Sequence, residues 1–218
     1  MALKAVGFDI DGTLYPNPRG HWRALPFFLS NLRIILAFAR TRRIMRDTED
    51  DSGDSETRIF AAELGFGLEK AGLIRDRIVY GGWEARFRGM KIYPGVREAL
   101  LRLKDAGLKT AALSDFPVGR KLEYFGIADL FDVVLGFPES GRLKPRPEPF
   151  LAMAERLGVA PHEILYVGNK LDYDVRGAEK AGMRGALIGP PGSKAPPAVT
   201  TYADYRHLAD SILSEVAT

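Results

Sequence analysis

Residues 5–16 read Ala5-Val6-Gly7-Phe8-Asp9-Ile10-Asp11-Gly12-Thr13-Leu14-Tyr15-Pro16. A short apolar run ends in an acid, a second acid follows two positions on, and a glycine comes next. Ala5 to Phe8 therefore reads as a buried strand feeding a tight turn. The next strand signal is Lys109 to Leu113, and Ser114 lies 105 residues beyond Asp9. A single strand-helix-strand crossover needs far less chain. An insertion after the first strand is the simplest account.

From Pro94 onward the pattern alternates. Val96 to Ala106 reads as a helix ending at Gly107, and Lys109 to Leu113 as a strand. Val118 to Phe125 reads as a helix closed by Gly126, and Asp132 to Leu135 as a strand. Pro147 to Leu157 is a helix with proline in its first turn and Gly158 after it. Ile164 to Val167 is a strand, Asp174 to Ala181 a helix stopped by Gly182, and Ala186 to Ile188 a last strand. Pro190 to Pro197 is a loop and Tyr205 to Val216 a closing helix. Strands alternating with helices of this length predict right-handed β-α-β units and a parallel sheet, hence an α/β fold.

Between Asn17 and Tyr93 there is no strand signal. Trp22 to Met45 has helical spacing, and Asp47 to Glu56 is an acidic loop. Arg58 to Ala71 and Leu73 to Phe87 read as two more helices, broken near Gly65-Gly67 and at Gly72. The apolar stretch Pro26 to Phe38 holds thirteen residues and includes Asn31 and Arg33. A membrane span needs about 20 mostly apolar residues, so this is an amphipathic or buried helix.

The chain has 218 residues, 46% hydrophobic and 27% charged, with 31 Lys+Arg against 28 Asp+Glu for a net charge of +3. That is enough apolar mass for a core and too little excess charge to argue for nucleic acid. Zero cysteines exclude disulfides, thiolate metal sites and cysteine nucleophiles. They fit a reducing compartment, and the first residues meet Asp9 before a signal-peptide core could form. The expectation is a cytoplasmic protein.

Open parallel sheets bind ligands at the carboxyl ends of their strands. Here those ends carry Asp9, Asp11, Gly12 and Thr13, then Ser114 and Asp115, then Lys144, then Asn169, Asp172 and Asp174. Together they make sense as phosphoryl-transfer chemistry. An aspartate can carry a transient acyl-phosphate, and a second acid can protonate the leaving alcohol and then activate water. A hydroxyl and an ammonium stabilise the transferred group. A magnesium ion relieves the repulsion of crowded carboxylates while binding phosphate oxygens.

Asp9-Ile10-Asp11-Gly12-Thr13-Leu14-Tyr15-Pro16 resembles the first motif of the haloacid dehalogenase-like hydrolases, a superfamily made up largely of phosphatases. Leu113-Ser114-Asp115 is similar to the second motif and Lys144-Pro145-Arg146-Pro147-Glu148-Pro149-Phe150 to the third. Val167-Gly168-Asn169-Lys170-Leu171-Asp172-Tyr173-Asp174-Val175-Arg176-Gly177-Ala178 is similar to the fourth. The four stand in family order over residues 5 to 190. The resemblance implies a Rossmann-like core with a central parallel sheet, residues 1–16 and 94–218, and an inserted all-helical cap, residues 17–93.

It also implies roles. Asp9 would be the nucleophile and Asp11 the general acid/base, with Asp9 and the Asp11 backbone carbonyl also on magnesium. Thr13 and Ser114 would contact phosphate, and Lys144 would orient the phosphoryl group and Asp9. The dehalogenases of the superfamily usually lack an acid at the position of Asp11, so its presence favours a phosphatase. The fourth motif departs from the pattern, because Asn169 stands where many relatives have aspartate. Asp172 is well placed in sequence to compensate, with Asp174 as the other metal candidate.

Simpler readings exist for several residues. Asp174 could act only as a helix N-cap, and Asp115 is expected to be structural or to act from behind the site. His21, His162 and His207 share no ligand spacing, and Trp22 and Trp83 read as cap core. Arg40, Arg42, Arg43 and Arg46 read as a solvated helix face partly paired with Asp47, Glu49 and Asp50; the alternative is recognition of an anionic substrate. Phe27 to Phe38 could instead bury against another subunit.

The reading that follows is a magnesium-dependent phosphatase acting on a small phosphorylated metabolite through an aspartyl-phosphate on Asp9. It expects neither nucleic acid nor membrane as a partner, and a monomer or homodimer. One alternative is another reaction on the same nucleophile, either phosphomutase transfer or phosphonate cleavage. Phosphonate cleavage of the Schiff-base kind needs a cap lysine, and the cap offers only Lys70 and Lys91. Another is a non-catalytic binding protein retaining the fold, for which Asn169 is the sequence support.

Overall fold

A computed structural model describes residues 2–16, 25–48, 53–84, 86–189, 196 and 199–217. His21, Trp22, Glu49, Asp50 and most of the 190–197 loop lie outside the described residues, as does the Trp83 side chain.

The core is one six-stranded parallel sheet. Its strands are β1 (Ala5–Asp9), β2 (Lys109–Ser114), β3 (Val133–Gly136), β4 (Ile164–Gly168), β5 (Arg184–Ile188) and β6 (Thr200–Tyr202). The order is β3-β2-β1-β4-β5-β6, with β1 paired to β2 on one side and β4 on the other. Every residue of β1 is buried, as a central parallel strand covered on both faces requires. The chain steps from β1 outward to β3 and then returns to the other flank of β1. That reversal leaves a crevice at the carboxyl end of β1, the place where such sheets bind ligands. The register sets Asp9 beside Leu113 and Phe8 beside Val167, so the ends of β1, β2 and β4 converge. The architecture is Rossmann-like.

Period-two alternation sorts the strand side chains to two layers. Val6 and Phe8 pack with Val96, Leu100 and Leu103 of α6 (Val96–Asp105) and with Leu208 and Ile212 of α10 (Tyr205–Val216). Ala5 packs on the other face with Phe150, Met153 and Leu157 of α8 (Glu148–Leu157) and with Ala178 of α9 (Arg176–Lys180). The buried set of α6 falls at Val96, Ala99, Leu100 and Leu103, the stripe expected of a helix with one covered face. Asp204 caps α10 by accepting a hydrogen bond from the His207 backbone N–H at 2.8 Å.

Between β1 and α6 every described element is helical: α1 (Leu25–Ser30), α2 (Leu32–Asp47), α3 (Gly53–Leu64), α4 (Leu68–Ile74) and α5 (Gly81–Glu84), with a π-helical turn, Arg75–Tyr80, joining the last two. Phe38, Phe60, Leu64, Ala71 and Val79 form the core of this layer. Met45 of α2 packs instead on Phe137 and Leu143 of the sheet domain, which seats the helices over the strand ends.

The structure corrects several boundaries. Residues 68–84 are one helical run with Gly72 inside it; glycine in a helix costs about 1 kcal/mol, which packing outweighs here. Asp54, Ser55 and Glu56 belong to α3 rather than to a loop, and Asp54 and Glu56 stand in its first turn, where the helix dipole favours acids. Only Lys121–Tyr124 of the Val118 to Phe125 segment is helical, labelled α7. The N–H of Arg120 there donates to Glu84 at 3.3 Å, so a tertiary contact holds the segment open. Residues 171–175 form a π-helical turn before α9. Strand β6 pairs with β5 at the sheet edge and has no counterpart in the sequence reading. Among the described residues no helix is long and apolar enough to cross a membrane.

Candidate active site

The turn after β1 is shaped by Gly12, whose φ of +92° is in the region that favours glycine. A side chain there would also collide with the amide of Asn169. The turn brings Thr13 back over Asp9, and the Thr13 hydroxyl donates to Asp9 Oδ2 at 2.6 Å. Tyr205 of α10 donates to the Thr13 carbonyl at 2.6 Å and fixes the turn from behind.

Lys144, 3% exposed, lies between two carboxylates. Its Nζ is 2.6 Å from Asp9 Oδ1 and 2.6 Å from Asp174 Oδ1, and it also donates to the Tyr166 hydroxyl at 3.3 Å. Asp174 Oδ2 accepts from the backbone N–H groups of Asn169 (3.1 Å) and Lys170 (2.9 Å). The loop after β4 thus folds back on Asp174, and Gly168 allows it, since a Cβ there would overlap the Asp174 side chain. These bonds point backward along the chain, so Asp174 is a site residue rather than an N-cap for α9.

Asp11 faces another way. Its carboxylate accepts from Ser114 and Tyr15 through short hydrogen bonds and from Lys121 Nζ at 2.8 Å. Ser114 therefore serves Asp11 in this arrangement, while its hydroxyl also accepts the Phe116 N–H at 3.0 Å. Asp115 Oδ1 accepts the Lys144 backbone N–H at 3.0 Å and Oδ2 accepts from Arg46 at 2.8 Å. Arg46 in turn donates to the Lys144 carbonyl at 3.0 Å.

Burial pushes the Asp9 carboxyl up to about 7, with Asp174 and Asp11 adding to the rise and Lys144 opposing it. Burial also disfavours the charge on Lys144, but Asp174 and Asp9 outweigh it and hold the ammonium well above its ordinary range. For Asp11 burial raises the carboxyl pKa, and Lys121 with the Ser114 and Tyr15 hydrogen bonds more than reverses it, leaving it lowered. Two neighbouring acids thus differ in character, Asp9 raised by its burial and Asp11 lowered while Lys121, Ser114 and Tyr15 hold it.

Of the sequence candidates, Asp9, Asp11, Thr13, Ser114, Lys144, Asn169 and Asp174 come together. Asp172 does not: its side chain is 70% exposed and pairs with Arg176 at 2.7 Å, on the outer side of the 171–175 turn. The two-residue step across that turn sends Asp172 to solvent and Asp174 inward, which reverses the order of preference drawn from sequence. His162 and His207 are exposed, and Lys70 and Lys91 are exposed and do not line the cavity.

The cavity itself, about 40 Å³, is lined by Asp9, Asp11, Asp115, Lys144 and Asp174, with Arg46 and Tyr173 at its side. Among the described residues no three His, Cys, Asp or Glu side chains form a metal-holding group. The Asp11 carboxylate is turned away, leaving Asp9, Asp174 and the amide of Asn169. Asn169 Oδ1 is buried and accepts no hydrogen bond. An all-oxygen set with an unpartnered amide oxygen fits a hard cation.

Sequence reasoning missed Lys121 and misread Arg42 and Arg46. Lys121 carries no sequence signal, since a lysine on a short amphipathic segment is usually solvated. Arg42 and Arg46 are one helical turn apart and follow Phe38 at the same spacing, a periodicity that places all three on one face of α2. Arg42 is buried, paired with Glu56 at 2.8 Å and set over the rings of Phe38, Phe116 and Phe137. Of the four arginines read as a solvated face, Arg40 pairs with Glu63 near the surface and Arg43 is exposed, so the reading holds only for these two.

Residues 3–182 match the family model described as haloacid dehalogenase-like hydrolase. The chain belongs to the haloacid dehalogenase-like hydrolases. It is 33% identical over 192 residues to a glyceraldehyde 3-phosphate phosphatase of Methanopyrus kandleri, covering 83% of this chain and 82% of that one. It is 30% identical to a phosphoglycolate phosphatase of Escherichia coli, over 83% of this chain and 79% of the relative. The crystal structure of a HAD phosphatase from Thermococcus onnurineus superposes with a TM-score of 0.65 at 26% identity, covering 98% and 99% of the two chains. Asp9, the nucleophile that the sequence resemblance implies, ends β1, and Lys144 lies in the loop after β3.

Proposed function

We propose that this haloacid dehalogenase-like phosphatase hydrolyses a small phosphate monoester through an aspartyl-phosphate on Asp9, with magnesium as cofactor and residues 17–93 acting as a cap. The observation that carries the reading is the Asp9 carboxylate, held at 2.6 Å by both Lys144 and Thr13 at the carboxyl edge of the sheet, with a second buried acid two residues on. An Asp9 oxygen attacks phosphorus while Asp11 gives a proton to the departing alcohol oxygen. Asp11 then takes a proton from the water that attacks the aspartyl-phosphate, releasing inorganic phosphate and restoring both acids. Ionised in its contact with Lys121, Asp11 takes up its proton on turning from that contact toward the ester. Lys144 and the Thr13 and Ser114 hydroxyls meet the phosphoryl oxygens.

Asp9, Asn169 and Asp174, with the Asp11 backbone carbonyl, would hold the metal. Bound there, magnesium supplies neutralising charge for the phosphate and the acids around it. The relatives named for glyceraldehyde 3-phosphate and phosphoglycolate support a small ester as substrate.

Phosphate release from a generic aryl phosphate, with and without magnesium, tests the reading. Wild type should turn over only with the metal, stop with beryllium fluoride, and lose activity in Asp9→Asn. Full activity in Asp9→Asn would sink the mechanism, and no release under any divalent cation would leave a non-catalytic binding protein.

A further inference from the structure

A second cavity, about 230 Å³, adjoins the catalytic one and shares Arg46, Phe116, Lys170 and Tyr173 with it. Its remaining walls come largely from the inserted helices: Phe27, Ile35, Phe38 and Ala39 on α1 and α2, and Ile78 and Val79 on the π-helical turn. Two arginines also line it. Arg42 pairs with Glu56 through Nη2, while its Nε and Nη1 are buried without a hydrogen-bond partner among the described residues, with phenyl rings 4.6, 5.0 and 5.1 Å from the guanidinium carbon. Arg46 donates through all three nitrogens, to the Lys144 carbonyl, the Arg42 carbonyl and Asp115. Lys170, exposed at the shared edge, has no carboxylate partner among the described residues.

A leaving group rich in hydroxyls would therefore find Arg46 committed to other partners and the unpartnered Arg42 nitrogens covered, and buried polar groups without partners are penalised. An apolar ring would meet phenyl and aliphatic surface. An apolar cavity of about 150 Å³ already admits benzene. We infer that this cavity receives the leaving alcohol of the phosphate ester, and that the preferred alcohol carries an apolar body the size of a phenyl ring. The inference rests on the phosphatase reading and departs from the small hydrophilic substrates in the relatives' names.

The test compares three esters of primary alcohols, so that the displaced oxygen is of one chemical kind: 2-phenylethyl phosphate, ethyl phosphate and phosphoglycolate, each with the full chain and magnesium. The expected kcat/KM for 2-phenylethyl phosphate is at least tenfold above the other two. Ala39 is exposed on α2 and faces the cavity, so Ala39→Phe should bring the phenylethyl-to-ethyl ratio close to one. Ile35→Trp, from the same wall, should do the same.

A wild-type ratio at or below one overturns the inference, as does a ratio that neither substitution moves. Phosphoglycolate as the fastest ester, with its advantage lost in Lys170→Ala, also overturns it and assigns the cavity to a second anion. Those results leave the phosphatase reading standing. If no ester releases phosphate above the level of Asp9→Asn, the phosphatase reading fails, and this inference with it.

Discussion

A carboxylate only 5% exposed is destabilising in its charged form unless it is paired, and Asp9 has Lys144 for that purpose. Lys144 is shared with Asp174, so the pairing does not fully offset the burial, and the Asp9 carboxyl rises to about 7. Its unfolded value is about 3.9. Between these values the folded chain binds more protons than the unfolded one, so this group's contribution to stability falls as pH rises. In chelator-containing buffer, Asp9→Asn should raise the melting temperature at pH 8 by a few degrees, on a scale of about 2–4 °C per kcal/mol. The gain should shrink at pH 5, and thermal melts at the two pH values check it. The same scale separates the two acids of the fourth motif. Asp174→Asn should lower kcat/KM at least about 100-fold, because it strips a charged partner from buried Lys144. Asp172→Asn should stay within about twofold, since it removes only an exposed pair with Arg176.

Helix α2 joins the inserted helices to the strand ends through Arg42, Met45 and Arg46. The Arg42–Glu56 pair is buried, with side chains 5% and 1% exposed. Removing one member of such a pair leaves an uncompensated charge. Arg42→Met should therefore destabilise the chain by about 3 kcal/mol, and Arg42→Met with Glu56→Leu should recover much of that loss in urea melts. Arg46 acts on Asp115. Burial raises the Asp115 carboxyl, while Lys144 and Arg46 together pull it below the ordinary carboxylate range. Its contribution is present above about pH 3.9 and is lost as pH falls through the lower folded value. Asp115→Asn should thus be less stable than wild type at pH 7, with the gap closing in acid titrations below pH 4. The i, i+4 spacing of these arginines was visible in the sequence. Which partners waited on that face was not, because Glu56 and Asp115 lie on separate elements.

At the level of the whole molecule, α10 returns 192 positions after Thr13 to hold the turn after β1 through the Tyr205 hydroxyl. Tyr205→Phe should cost about 1 kcal/mol in denaturant unfolding and lower kcat more than it raises KM, because the turn carrying Thr13 loses its anchor. The strand order makes such reach possible: β1 is central, so elements from the middle and the end of the chain both border its carboxyl edge. The helical layer closes over that edge and gives the small cavity at Asp9 its larger neighbour.

The Asp9–Pro16 stretch, the alternation after Pro94 and the long gap to Ser114 were enough to read a parallel α/β sheet with a helical insertion. Periodicity and turn chemistry are local, and a sequence displays them directly. Asp9, Asp11, Thr13, Ser114 and Lys144 could be picked out as candidates in the same way, Asp9 and Ser114 closing β1 and β2, Asp11 and Thr13 following β1, and Lys144 in the loop after β3. Tertiary structure decided what depends on direction. It turned Asp172 outward and Asp174 inward across one π-helical turn, and it brought Lys121 to Asp11. It also buried Arg42 and half-buried Arg46, two of four arginines that composition alone reads as solvated. Side-chain direction and long-range partners are set by packing among distant elements, and no local pattern encodes them.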